Sequence, residues 1–133
     1  MIGLDTNVLV RYIVRDDPTQ AAAADQLVAS LTAAEPGFVS PTALVELWWV
    51  LARSYKRSQA ERCALFEALL DTDELTIGDR ASAREALDAA NKGADFADAL
   101  LVAQGRTAGC VMTATFDKAA ASRAGMTLID TGP

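Results

Sequence analysis

Short, β-prone apolar runs alternate along this chain with stretches long enough to form a helix, and that alternation is its strongest constraint. Met1 to Leu4, Gly37-Phe38-Val39, Leu75-Thr76-Ile77, Cys110 to Thr113 and Met126 to Ile129 read as strands. Strands separated by helices predict a mostly parallel sheet covered on both faces. The expected architecture is a three-layer α/β/α sandwich around a central, mostly parallel five-stranded sheet. All 133 residues are expected to form one domain, with no room for a separate recognition domain. In such a sheet the working crevice lies beyond the carboxyl ends of the strands. Asp5, the turn after Val39 and the segment Thr113 to Asp117 fall at those ends.

The helical stretches carry their own punctuation. Thr6 to Val14 forms a first short helix, and Pro18 opens a second that runs through the alanine-rich Thr19 to Ala33. Ser40 is an N-cap with Pro41 at the first helical position. Leu44, Leu47, Trp48 and Leu51 then recur at helical spacing and form one apolar face, from which Glu46, Trp49 and Arg53 fall away. Ser58 and Glu61 match a capping box for a helix to about Leu70. Asp79 can cap a helix from Arg80 to about Asn91, Gly93 breaks it, and Asp95 starts another that runs to about Ala108. A last short helix covers Lys118 to Arg123 and ends at Gly125.

Composition removes whole classes of chemistry. The chain has no His, which excludes Ser-His-Asp hydrolysis and most zinc enzymes. Its two cysteines, Cys63 and Cys110, make no CxxC pair and are read as buried thiols in a reducing cytoplasm. No secretory signal opens the chain, and the most apolar stretch, Phe38 to Ala52, is too short to span a bilayer. A cytoplasmic protein that does not enter membranes is expected. With 18 acidic residues against 12 basic ones, any metal site must be built from oxygens, which points to Mg²⁺ or Mn²⁺.

Five acids and their neighbours can carry such a site, and each has a structural alternative. Asp5 follows an apolar strand, where it can be a ligand or cap a helix. Thr6 and Asn7 can orient it, touch a phosphate or serve as turn residues. Glu46 stands in a strongly apolar segment, either on a solvated face or near a cation that offsets its charge. Asp95 and Asp98 lie one turn apart, so their like charges repel unless a proton or a cation joins them. As the start of a helix, the same pair is favourable. Asp117 can bind metal or cap the last helix, and Thr115 can support it. Carboxylates gathered at one sheet edge need a cation, one or two ions, and such a site activates water and polarises a phosphodiester.

The order of these motifs resembles the PIN-domain family, and within it the VapC toxins of bacterial toxin–antitoxin pairs. Met1-Ile2-Gly3-Leu4-Asp5-Thr6-Asn7-Val8-Leu9 is close to the family opening, and Glu46 stands where the family places its second acid. Asp95-Phe96-Ala97-Asp98-Ala99-Leu100 resembles the third motif and Thr115-Phe116-Asp117 the fourth. The resemblance implies a metal-binding catalytic quartet of Asp5, Glu46, Asp98 and Asp117, with Asp95 nearby and Thr6, Asn7 and Thr115 in support. It implies an endoribonuclease that hydrolyses RNA with metal-activated water, a homodimer, and a VapB-type protein antitoxin, in a complex that can be of higher order. Many relatives carry another aromatic shortly after the last acid; Asp117-Lys118-Ala119-Ala120-Ala121 does not.

A net charge of −6 is unlike a non-specific nucleic-acid binder, so RNA contacts must be local. Arg11 and Arg15, and the group Arg53, Lys56, Arg57 and Arg62, can meet phosphates or be solvated. Trp48 is expected in the core, and Trp49 partly exposed or in an interface. Other readings are a phospho-aspartate phosphatase or receiver built on Asp5, and a non-catalytic partner-binding module. Position 7 is Asn where the phosphatase wants a second Asp, and the last strand is not followed by the lysine a receiver needs.

Overall fold

The computed structural model describes residues 1–132, which form two compact units: Met1–Arg80, and the chain from Ala81 onward. The first unit holds β1 (Ile2–Gly3), α1 (Thr6–Val14), α2 (Pro18–Ser30), β2 (Gly37–Val39), α3 (Pro41–Arg53), α4 (Gln59–Leu70) and β3 (Leu75–Ile77). After α5 (Arg80–Ala90), which opens at the boundary, come α6 (Phe96–Thr107), β4 (Ala114–Thr115), α7 (Lys118–Arg123) and β5 (Thr127–Leu128). The expected α/β class with parallel strands is observed. The expected single five-stranded sheet is not: the strands form a three-stranded sheet, β1-β2-β3, and a two-stranded one, β4-β5. β1, β4 and β5 are two residues long each, so few ladder bonds are available to join them to anything.

In the first unit β2 is central and parallel to both neighbours, with Ile2 opposite Gly37 and Phe38 opposite Thr76. Leu4 N–H extends the pairing to the Phe38 carbonyl at 2.9 Å, and Gly78 N–H to that of Val39 at 2.8 Å. The three carboxyl ends therefore lie on one edge, where Asp5 and Ser40 leave the sheet. Ser40 Oγ accepts from Ala43 N–H at 3.1 Å, and Pro41 needs no donor at the first helical position, so α3 starts directly at that edge.

The α3 pattern is realised as read. Leu44, Leu47, Trp48 and Leu51 are completely buried. The Trp48 ring meets Phe66 of α4 edge-on, at 5.3 Å between centroids and 76° between planes. The Arg62 guanidinium lies 4.0 Å above the Trp48 ring centroid, a cation–π contact across the α3–α4 seam. Ser58 and Glu61 form the full capping box of α4. Gly78 sits where β3 ends beneath the start of α3. A Cβ there would lie 2.9 Å from Pro41 Cδ and 3.0 Å from Phe38 Cζ. Gly78→Ala is expected to destabilise by about 1–3 kcal/mol, read as a lower urea midpoint at unchanged m-value.

In the second unit Ala83, Ala86, Leu87, Phe96, Leu100 and Ala103 are buried, and Val102, Ala120 and Met126 form a small apolar cluster. β4 and β5 are parallel, Ala114 opposite Thr127. The strand expected over Cys110 to Thr113 begins later, at Ala114. α6 ends in a two-bond terminus: Gly109, at φ 99, donates to Arg106 O at 3.0 Å and Cys110 donates to Gly105 O at 2.9 Å. The Cys110 amide is thus consumed by the helix end and cannot start a ladder. Cys110 is exposed, which corrects the expectation of two buried thiols; Cys63 is buried as expected. Asp79, expected to cap α5, stands at φ 49, outside the extended backbone that the other caps adopt.

Candidate metal centre

Asp5 occupies the N-cap position of α1 with extended backbone, φ −72 and ψ 153, yet its side chain makes no capping bond. Its carbonyl takes the Val8 N–H at 3.0 Å, and its carboxylate has no hydrogen bond or ion pair among the described residues. The capping alternative therefore does not account for this acid. Thr6, immediately after it, is buried, while Asn7 is exposed. Glu46 is exposed on α3 and also has no partner among the described residues. Its charge is solvated, so proximity to the apolar core does not force a cation on it.

In the second unit Asp98 feels the charges of Asp95 and Asp117. Asp95 caps α6, accepting the Asp98 N–H at 3.0 Å. Asp117 caps α7 through Oδ1, which accepts Ala119 N–H at 2.8 Å and Ala120 N–H at 3.2 Å. Thr115 Oγ1 accepts the Asp117 N–H at 3.0 Å and fixes the turn after β4. Both capping alternatives are thus realised. Asp98 is different. It is half-buried in the first turn of α6, beside the buried Phe96 and Ala97. Burial pushes its carboxyl pKa up, and the charges of Asp95 and Asp117 push it further the same way. Among the described residues no group of three or more acid or cysteine side chains is placed to hold a metal ion. The donors on hand are all oxygens, the chemistry that suits a hard divalent cation, and such an ion would offset the penalty that Asp98 meets on ionising.

The basic residues expected near RNA are largely engaged. Arg11 donates through Nη1 to Asp16 at 2.9 Å and to Tyr55 Oη at 3.1 Å, and through Nε to Gln20 at 2.7 Å. Arg15 grips Asp25 with two bonds of 2.7 Å. Beyond Asn7, a mostly apolar groove of about 270 Å³ runs between α1 and α2, lined by Val8, Arg11, Gln20, Ala23, Ala24 and Leu27. No helix among the described residues is long and apolar enough to cross a membrane.

The sequence matches the model of the PIN domain over residues 2–126. The chain belongs to the PIN-domain family. PIN domains are generally metal-dependent nucleases that bind divalent ions, and the match runs through both compact units, taking in all five candidate acids. No curated protein matches the chain.

Proposed function

We propose that this PIN domain is an Mg²⁺- or Mn²⁺-dependent endoribonuclease, with Asp5, Glu46, Asp98 and Asp117 as its acidic machinery and Asp95 nearby. The observation that carries the reading is the family match over residues 2–126, which takes in all five acids; the half-buried position of Asp98 near Asp95 and Asp117 adds to it. A bound divalent cation would supply Lewis-acid stabilisation of a phosphodiester transition state and lower the pKa of water. The chain's own residues would divide the remaining work. Asp5, Asp98 and Asp117 would hold the ion, and Asp95 would steady the first turn that carries Asp98. Glu46, solvated and unpaired, orients the attacking water and takes its proton. Thr6 and Asn7 support Asp5, and Thr115 fixes the backbone of Asp117. In-line attack then leaves a 5′-phosphate and a 3′-hydroxyl.

The finer assignment is a VapC-type toxin, cytoplasmic, homodimeric and held by a VapB-type antitoxin. The ordered motifs support it, and the apolar α1–α2 groove would suit an inserted antitoxin segment. Arg11 and Arg15 could reach RNA only by exchanging Asp16 and Asp25 for phosphates.

The test is cleavage of total cellular RNA by the purified, partner-free chain with Mg²⁺, Mn²⁺ or EDTA, with ends mapped. Discrete metal-dependent cuts that disappear in Asp5→Asn are expected. A folded chain that leaves RNA intact in every metal would overturn the nuclease reading.

A further inference from the structure

The outer stripe of α3 carries, beside Glu46, two side chains that the metal centre does not use. Glu46, Trp49 and Arg53 recur at helical spacing on the side opposite the buried Leu44-Leu47-Trp48-Leu51 face. Trp49 is 42% exposed, whereas Trp48 beside it is fully buried. The Arg53 guanidinium lies over one face of the Trp49 ring, 5.5 Å from its centroid, a cation–π contact that helps to hold the indole in place. Arg53 and, beyond the helix end, Lys56 have no acidic partner among the described residues. In a chain of net charge −6, Arg11, Arg15 and Arg57 are ion-paired, whereas Arg53, Lys56, Arg80, Lys92, Lys118 and Arg123 have no ion pair among the described residues; of these, Arg53 lies over an exposed indole.

The support is fixed. The loop after α3 is tied by Arg57 N–H to Leu51 O at 2.9 Å, and by the Tyr55 hydroxyl to Asp16 at 2.9 Å. Trp49 and Arg53 follow Glu46 by rises of about 4.5 Å and about 10.5 Å along the helix.

We propose that Trp49 is a stacking platform for an unpaired RNA base, and that Arg53 and Lys56 hold the neighbouring phosphates. This rests on the nuclease reading and deepens it by naming residues outside the metal centre that would hold unpaired RNA, whose bases are free to leave their own stack. A π-face flanked by unpaired cations is complementary to that ligand. Against duplex RNA the indole would have no unstacked base to meet.

The test uses the full chain in EDTA, so that RNA is bound and not cut. A labelled twelve-nucleotide oligoadenylate and a duplex of the same length are titrated by fluorescence anisotropy. Wild type is expected to prefer the single strand. Trp49→Ala should weaken single-strand binding about 5- to 100-fold, and Trp49→Phe should restore most of it, because a π-face is kept. Arg53→Ala should weaken binding and flatten its salt dependence. Circular dichroism checks that each variant is folded, and metal-dependent cleavage of total RNA is measured in parallel. If the chain cuts RNA but Trp49→Ala binds and cuts like wild type, the platform is wrong and the nuclease reading stands. If Trp49→Ala instead turns a dimer into a monomer in sedimentation, with RNA affinity unchanged, the face belongs to a second copy and the proposal falls. If the chain neither binds nor cuts RNA, both readings fall together.

Discussion

An Asp98→Asn variant is expected to lose metal-dependent RNA cleavage and, in EDTA, to melt at a higher temperature than wild type. The two effects have one origin. Asp98 is half-buried, and Asp95 and Asp117 add like charge, so its ionised form is penalised in the fold. Asparagine keeps the shape and removes the charge. The same change removes an anionic ligand from the proposed site, and a loss of at least about 10²-fold in kcat is expected, the scale seen when one transition-state-stabilising group is deleted.

The pH dependence follows with its sign fixed. Below the ordinary aspartate range Asp98 is protonated in both folded and unfolded chains, and it costs the fold nothing. Above its raised folded pKa it is ionised in both, and the fold carries the penalty. Stability in EDTA therefore falls as pH climbs from the ordinary aspartate range through the raised value, and Asp98→Asn should flatten that limb. Added Mg²⁺ should flatten it in wild type, because the ion stabilises the ionised carboxylate. Asp25 and Asp16 act in the opposite sense. The Arg15 guanidinium holds Asp25 below the usual range, and the Tyr55 hydroxyl, with Arg11, holds Asp16 below it. Their contribution is lost as pH falls, so the two limbs separate. Thermal melts at fixed pH, with and without Mg²⁺, check all of this. A wild-type curve in EDTA that stays flat above the ordinary aspartate range would mean that Asp98 is not crowded.

The largest loss of stability is expected at Trp48. Its ring is fully buried, packed edge-on against Phe66 and covered by Arg62. Trp48→Ala empties the α3–α4 seam and should cost about 3–5 kcal/mol. A domain of this size has about 5–15 kcal/mol in total, so this one change removes at least about a fifth of it. The cost has a second part: Arg62 Nη1 bonds the Trp48 carbonyl at 3.4 Å, and its guanidinium would lose the ring beneath it. Trp49→Ala, one residue along, should cost less, about 1–2 kcal/mol, since 42% of the residue is exposed. Urea titrations of the two variants give the comparison directly. Similar midpoints would mean that α3 is rotated about its axis from the orientation described.

What the sequence made legible was local. The α3 face, the Ser40-Pro41 start and the Ser58–Glu61 box depend on residues within one or two turns, and each appears as read. Signals that depend on distant partners were not legible. Arg11 and Arg15 resembled free cations because Tyr55 and Asp25, which engage them, lie 44 and 10 residues away. The run Cys110-Val111-Met112 had strand composition, but a helix terminus takes the Cys110 amide, and Val111 ends 99% exposed. Among the acids, spacing could not separate a cap from a ligand. Asp95 and Asp117 cap helices with one oxygen each, whereas Asp5 stands at a cap position and does not cap.

The bare first turn of α1 has a consequence for anyone who evolves this protein toward thermal tolerance. A side chain at position 5 that swung back onto the first-turn amides would steady the helix by about 0.5–2 kcal/mol. Serine or asparagine would do so readily, and either would withdraw the carboxylate from the chemistry. A library screened for heat resistance alone is therefore expected to enrich inactive proteins at residue 5, as it would at residue 98. Selection that rewards only survival of the fold would erase the nuclease first at the places where the fold is least comfortable.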